Sequence, residues 1–115
     1  MATNGGMSTG DSSSLLTIEP IDGNSIDGNG RRVACDPRAG AVEAVLECAQ
    51  NLACVGAEPL GLTNCLNFGN PERPMVAWQL SESVAGLAES CEALGVPVVG
   101  GNVSLYNETE HGPIY

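Results

Sequence analysis

Leu62-Thr63-Asn64-Cys65-Leu66-Asn67-Phe68-Gly69-Asn70-Pro71-Glu72 starts as an apolar, strand-like run and ends in amides, a glycine and a proline. Further along, Val96 to Val99 runs in the same way into Gly100-Gly101-Asn102-Val103-Ser104-Leu105-Tyr106-Asn107-Glu108-Thr109. Amides and hydroxyls at the carboxyl end of a strand are ligands for phosphate oxygens and hard cations, and glycine lets backbone approach them closely. The same residues also fit a pair of polar turns, with Gly100 and Gly101 turning the chain and Asn102 capping a turn.

Outward from these stretches the punctuation is regular. Asp36-Pro37 opens a helix whose apolar positions are Val42, Val45, Leu46, Ala49, Leu52 and Ala53, and Gly56 closes it. Pro59 to Leu66 reads as a buried strand. Asn70-Pro71 is a helix entry, with Pro74 as a second candidate start. Leu80, Val84, Leu87, Cys91 and Leu94 follow at helical spacing as one apolar stripe, then Gly95 and Pro97 end that helix. Upstream, the echo Ile21-Asp22-Gly23-Asn24 and Ile26-Asp27-Gly28-Asn29 reads as a turn leading into a short strand near Arg31 to Cys35; its glycines and acids sit at the wrong places for a calcium loop. Met1 to Glu19 is polar and is expected to be a disordered tail.

The order strand, helix, strand, helix, strand predicts an α+β fold: one small sheet with two helices on one face, over residues 20–115. If the two strands that lead into the polar stretches are parallel neighbours, Asn64 and Asn102 meet at one rim of the sheet, where ligands bind in such sheets.

Composition removes several functions. Four basic residues, all arginine, stand against fourteen acidic ones, for a net charge of −10. That balance disfavours nucleic acid and anionic membrane surfaces, and a polyphosphate would need Mg2+ or basic groups from elsewhere. Cys35, Cys48, Cys54, Cys65 and Cys91 form no Cys-x-x-Cys, so zinc and a disulfide framework give way to reduced, buried thiols and a cytoplasmic location. The N-terminus lacks the features of a signal peptide, and no apolar run has membrane-spanning length. With no lysine there is no Walker loop; with only His111 there is no nucleophilic triad. Glu43, Glu47, Glu89 and Glu92 read as solvated helix faces, and Trp78 as core or domain interface.

The pieces Asp27-Gly28-Asn29-Gly30-Arg31, Asp36-Pro37, Asn51 to Ala57, Thr63 to Glu72, Trp78-Gln79 and Gly100 to Glu108 together resemble phosphoribosylformylglycinamidine synthase, the purine-biosynthetic amidotransferase, in its second aminoimidazole-ribonucleotide-synthetase-like N-terminal domain. That resemblance implies an ATP-dependent ligase, in which ATP phosphorylates the amide oxygen of formylglycinamide ribonucleotide and glutamine-derived ammonia displaces phosphate. By position it implies nucleotide contacts at Asn64 and Gly101, a Mg2+ ligand at Asn102 and a contact to the ribonucleotide substrate at Ser104. Asn67-Phe68-Gly69-Asn70 and Ser104-Leu105-Tyr106 favour the purine enzyme over relatives acting on other phosphorylated molecules. The family's catalytic histidine and acidic Mg2+ ligands have no counterpart here. The implied protein is therefore an incomplete domain, inactive alone, working with the remaining synthase domains and a glutamine amidotransferase. A non-catalytic module pairing through an exposed sheet edge is the alternative.

Overall fold

Asp36 serves two helices at once. Its side chain accepts from the Ala39 amide (3.0 Å) and so caps the second helix, while its own N–H donates to Arg32 O (2.9 Å) and closes the first. The computed structural model describes residues 23–115. In chain order these form α1 (Gly30–Cys35), α2 (Pro37–Cys54), β1 (Leu62–Asn67), α3 (Pro74–Leu94), β2 (Val98–Ser104), β3 (Glu108–Thr109) and β4 (Gly112–Pro113). The expected mixture of helix and strand is present. The tail expected over 1–19 lies outside the described residues.

Two expectations about elements are corrected. Arg31 to Cys35 is helical, not extended. Asn29 caps it by accepting from the Arg32 amide, and the Arg32 guanidinium grips both oxygens of Glu43 on α2 (2.7 and 2.8 Å). Among the described residues no strand lies beside this segment to reward extension, and Gly40 admits the backbone of Val33 against α2; a Cβ there would come within 2.6 Å of Val33 N. The single sheet is also corrected: β1 and β2 form one parallel pair, and β3 and β4 a separate antiparallel pair.

The helix ends follow most of the punctuation, although α3 starts at the second candidate, Pro74, and not at Asn70-Pro71. Pro37 and Pro74 sit in the first turns of α2 and α3, and Gly95 ends α3 at a φ of 67°. The buried stripe of α3, however, is Val76, Gln79, Ser83, Gly86, Ser90 and Cys91, so of the expected Leu80–Val84–Leu87–Cys91–Leu94 row only Cys91 is buried. Close approach is the physical reason. A Cβ on Gly86 would come within 2.5 Å of Arg38 O, so α2 and α3 cross on small residues. Ser83 Oγ donates to Pro37 O (3.4 Å), and Ser90 Oγ returns its proton to Gly86 O in its own helix (2.7 Å). Val84 and Leu94 are left exposed.

Leu52 and Ala57 form the best-buried apolar contact, at the turn where α2 gives way to the segment entering β1. All five cysteines are free, but only Cys91 is buried; Cys35, Cys54 and Cys65 are exposed. Among the described residues no helix is long and apolar enough to cross a membrane.

Candidate functional site

β1, α3 and β2 form a strand–helix–strand unit, and that connection makes the two strands parallel neighbours, as expected. The amides do not follow the strands, though; they lie inside them. Register pairs Thr63 with Gly100, Asn64 with Gly101, Cys65 with Asn102, Leu66 with Val103 and Asn67 with Ser104. Residues directly paired across a parallel ladder share a face, and successive residues alternate. Asn64 and Gly101 therefore share one face, while Asn102 and Ser104 share the other with Cys65 and Asn67. The expectation that Asn64 and Asn102 converge on one ligand from one rim is corrected by this offset of a single residue.

The face carrying Asn64 looks toward the helices. There β1, α2, α3 and the segment 24–30 enclose a cleft of about 680 Å³, lined among others by Asn64, Ala44, Val45, Cys48 and Leu87. Gly101 has a φ of 156°, and a Cβ on it would collide with the backbone and side-chain oxygens of Asn64. The room gained by that glycine is thus taken by Asn64.

On the opposite face, Asn102 Nδ2 donates to Ser104 Oγ (2.9 Å), and Asn67 Nδ2 donates to Cys65 Sγ (3.6 Å). Both bonds run along a strand between side chains two residues apart. The donors of each amide are turned along its own strand, and among the described residues neither amide oxygen accepts a hydrogen bond. A neutral oxygen donor of this kind suits Mg2+ that keeps several waters and substrate phosphates. Among the described residues no three His, Cys, Asp or Glu side chains gather as a metal site, so Asn102 fits the ion as one oxygen ligand and supplies no countercharge.

Beyond Ser104 the chain clasps the end of β1. Phe68 N donates to Ser104 O, Tyr106 N to Gly69 O and Asn107 N to Phe68 O, each at 3.0 Å. Tyr106 is held at a φ of 61°, a region that costs a non-glycine residue about 1 kcal/mol or more. Those cross-links keep it there. Glu108 accepts from the Asn70 amide (2.9 Å) and pairs with Arg73 (3.4 Å), which occupies the arginine nearest these loops. Phe68 packs edge-on against Tyr115, with ring centres 5.8 Å apart.

The segment before α1 is fixed separately. Asp27 accepts from Ser25 Oγ and from Asn51 Nδ2 (2.8 Å), and Cys48 Sγ donates to Ser25 O (3.2 Å). The Ser25 hydroxyl, more than any other neighbour, holds the Asp27 carboxyl below its ordinary value. Burial pushes the Cys48 thiol up. Glu43 and Glu89, expected on solvated faces, pair with Arg32 and Arg38. Asn67 is the residue that sequence reasoning passed over. Its signal was the i, i+2 spacing of Cys65 and Asn67, repeated by Asn102 and Ser104.

Residues 23–115 match the family model described as AIR synthase related protein, N-terminal domain. A subunit named phosphoribosylformylglycinamidine synthase subunit PurL, from Moorella thermoacetica, is 60% identical over 91 residues, covering 79% of this chain and 12% of the relative. Thermotoga maritima PurL is similar in structure. Its PurLQS structure aligns at a TM-score of 0.72 with 38% identity, over 85% of this chain and 17% of that one. Its complex with ATP aligns at 0.65 with 44% identity, over 71% and 14%, and its complex with FGAR at 0.63 with 45% identity, over 70% and 13%. The chain spans a small part of the relatives' length, and over that part it belongs to the AIR synthase related family, as a representative of its N-terminal domain.

Proposed function

We propose that this chain supplies ATP, Mg2+ and substrate contacts to a formylglycinamide ribonucleotide amidotransferase of the PurL kind, and is inactive by itself. The supporting observation is the Asn102–Ser104 hydrogen bond. It turns the amide oxygen of Asn102 free for a cation and leaves the Ser104 hydroxyl its own proton to donate. Asn102 would hold Mg2+ there, an ion that would supply countercharge to phosphate in phosphoryl transfer, and Ser104 would anchor the ribonucleotide beside it. Asn64 and Gly101 would touch the nucleotide from the cleft face. Likeness to a protein solved with ATP and with FGAR supports the ligand classes, and the PurLQS assembly supports further subunits as partners; a glutamine amidotransferase among them is part of this proposal. Since Arg73, the arginine nearest the polar loops, is engaged by Glu108, the missing positive charge would come from those other parts.

The test grafts residues 23–115 into the Moorella thermoacetica relative in place of its matching segment. The chain alone should bind Mg-ATP weakly at most in isothermal titration. The graft should turn over, and Asn102→Ala should cut its kcat by about tenfold or more, the scale of a lost metal-site contact. Turnover by the chain alone, or a graft indifferent to Asn102→Ala, overturns the reading. A second reading, an assembly module, rests on β2, whose residues from Val98 to Val103 are all exposed. Light scattering that finds a monomer unresponsive to the remaining synthase removes it.

A further inference from the structure

We propose that Asn67 is a substrate-positioning residue whose amide oxygen accepts a hydrogen bond from an amide N–H or a ribose O–H of the ribonucleotide. The inference rests on the reading of Ser104 given above, and it starts from the register. Asn67 stands directly across the parallel pair from Ser104, on the same face, so a molecule held by the Ser104 hydroxyl lies over Asn67 as well. The two strands treat their side chains alike. Asn102 gives its amide hydrogens to Ser104, two residues on, and Asn67 gives its own to Cys65, two residues back. Each bond uses one amide hydrogen and leaves the oxygen without a partner among the described residues.

That face therefore presents two amide oxygens with no partner among the described residues, beside the Ser104 hydroxyl and the second N–H of each amide. With one acceptor on the cation, the acceptor at Asn67 needs a partner that carries a proton. Phosphate oxygens carry none at neutral pH, and an amide oxygen beside them repels. A secondary amide or a ribose hydroxyl does carry one. The acceptor at Asn67 thus fits the end of the ribonucleotide that bears amide or hydroxyl groups. A hydrogen bond lost at a site of this sort is worth about a tenfold change in affinity.

Steady-state kinetics of the Moorella thermoacetica graft test this. Asn67→Leu, close in volume but without an acceptor, should raise KM for the ribonucleotide about tenfold and leave KM for ATP within about twofold. Asn67→Asp, which restores an oxygen acceptor, should recover most of the loss. Should Asn67→Leu lower the melting temperature, Asn67→Ala is read in its place. An unchanged ribonucleotide KM overturns the proposal, and so does an equal rise in both KM values, which marks a purely structural role. Ser104→Ala, measured alongside, separates the two readings. If it raises the ribonucleotide KM while Asn67→Leu does not, the inference about Asn67 alone falls; if neither variant moves it, the substrate role of Ser104 falls too.

Discussion

The helix pair and the strand pair of this molecule are built to opposite standards. Where α2 crosses α3, Gly86 lets the backbone of Arg38 approach to a distance no other residue would allow, and Ser83 and Ser90 bury their hydroxyls with partners found. Gln79 Oε1 on α3 is buried without a partner among the described residues, but the parallel pair is far less covered. Parallel strands in α/β proteins are covered on both faces, yet Val99 is 69% and Val103 55% exposed, and β2 has one hydrogen-bonded neighbour. The contrast locates stability in one half and ligand chemistry in the other. Every candidate site residue lies on β1 or β2; none lies on the helix crossing.

The sharpest way to break that contrast is Gly86→Val. The new side chain must push α2 away from α3, and the expected cost is about 3 kcal/mol in thermal or urea unfolding followed by circular dichroism. A loss below about 1 kcal/mol would mean that the crossing is loose and that the helix layer is not the stable half.

A smaller effect belongs to the segment before α1, which spans from the helix layer toward the cleft. Asp27 is held ionised chiefly by the Ser25 hydroxyl, then by Asn51, with the Cys48 thiol also in reach. Its pKa is lower folded than unfolded. The docking it provides is therefore fully present above the ordinary carboxylate value of 3.8 and is lost as pH falls through the lower, folded value. The side-chain amide resonances of Asn51 report this directly. Their titration midpoint should fall below 3.8, and a midpoint at or above it would show that Asp27 is not anchored.

What was legible in the sequence tracks how local the cause is. Asp36, Pro37, Pro74 and Gly95 act through their own backbone dihedrals or caps, and each helix boundary they mark is found where they stand. The parallel pairing of β1 and β2 was legible too, since a helix between two strands leaves few other connections. Register was not. A period of two says which residues of one strand share a face, but nothing about its phase against the next strand, and one residue of phase separates Asn64 from Asn102. The helix at Arg31–Cys35 was missed because the Asn29 cap and the Arg32–Glu43 pair outweigh a weak strand preference; the partner lies eleven residues away. The buried stripe of α3 was misread for a related reason. Hydrophobicity pointed to leucines, whereas the crossing selected for size.

The least effect is expected at Val103, and it bears most directly on the strand half. Val103 pairs with Leu66 on the helix-facing side of the ladder, yet more than half its surface meets solvent. Val103→Thr keeps the branched shape that strands favour and adds a hydroxyl that water can satisfy. In the isolated chain its cost should stay within about 0.5 kcal/mol by urea unfolding, as for substitutions at open surface. In the Moorella thermoacetica graft the same change should cost about 1–2 kcal/mol, because a covered valine that becomes threonine buries a hydroxyl with no assured partner. Equal, small costs in both settings would make β2 a true outer surface, and the contrast between the two halves would then be one of kind rather than of missing cover.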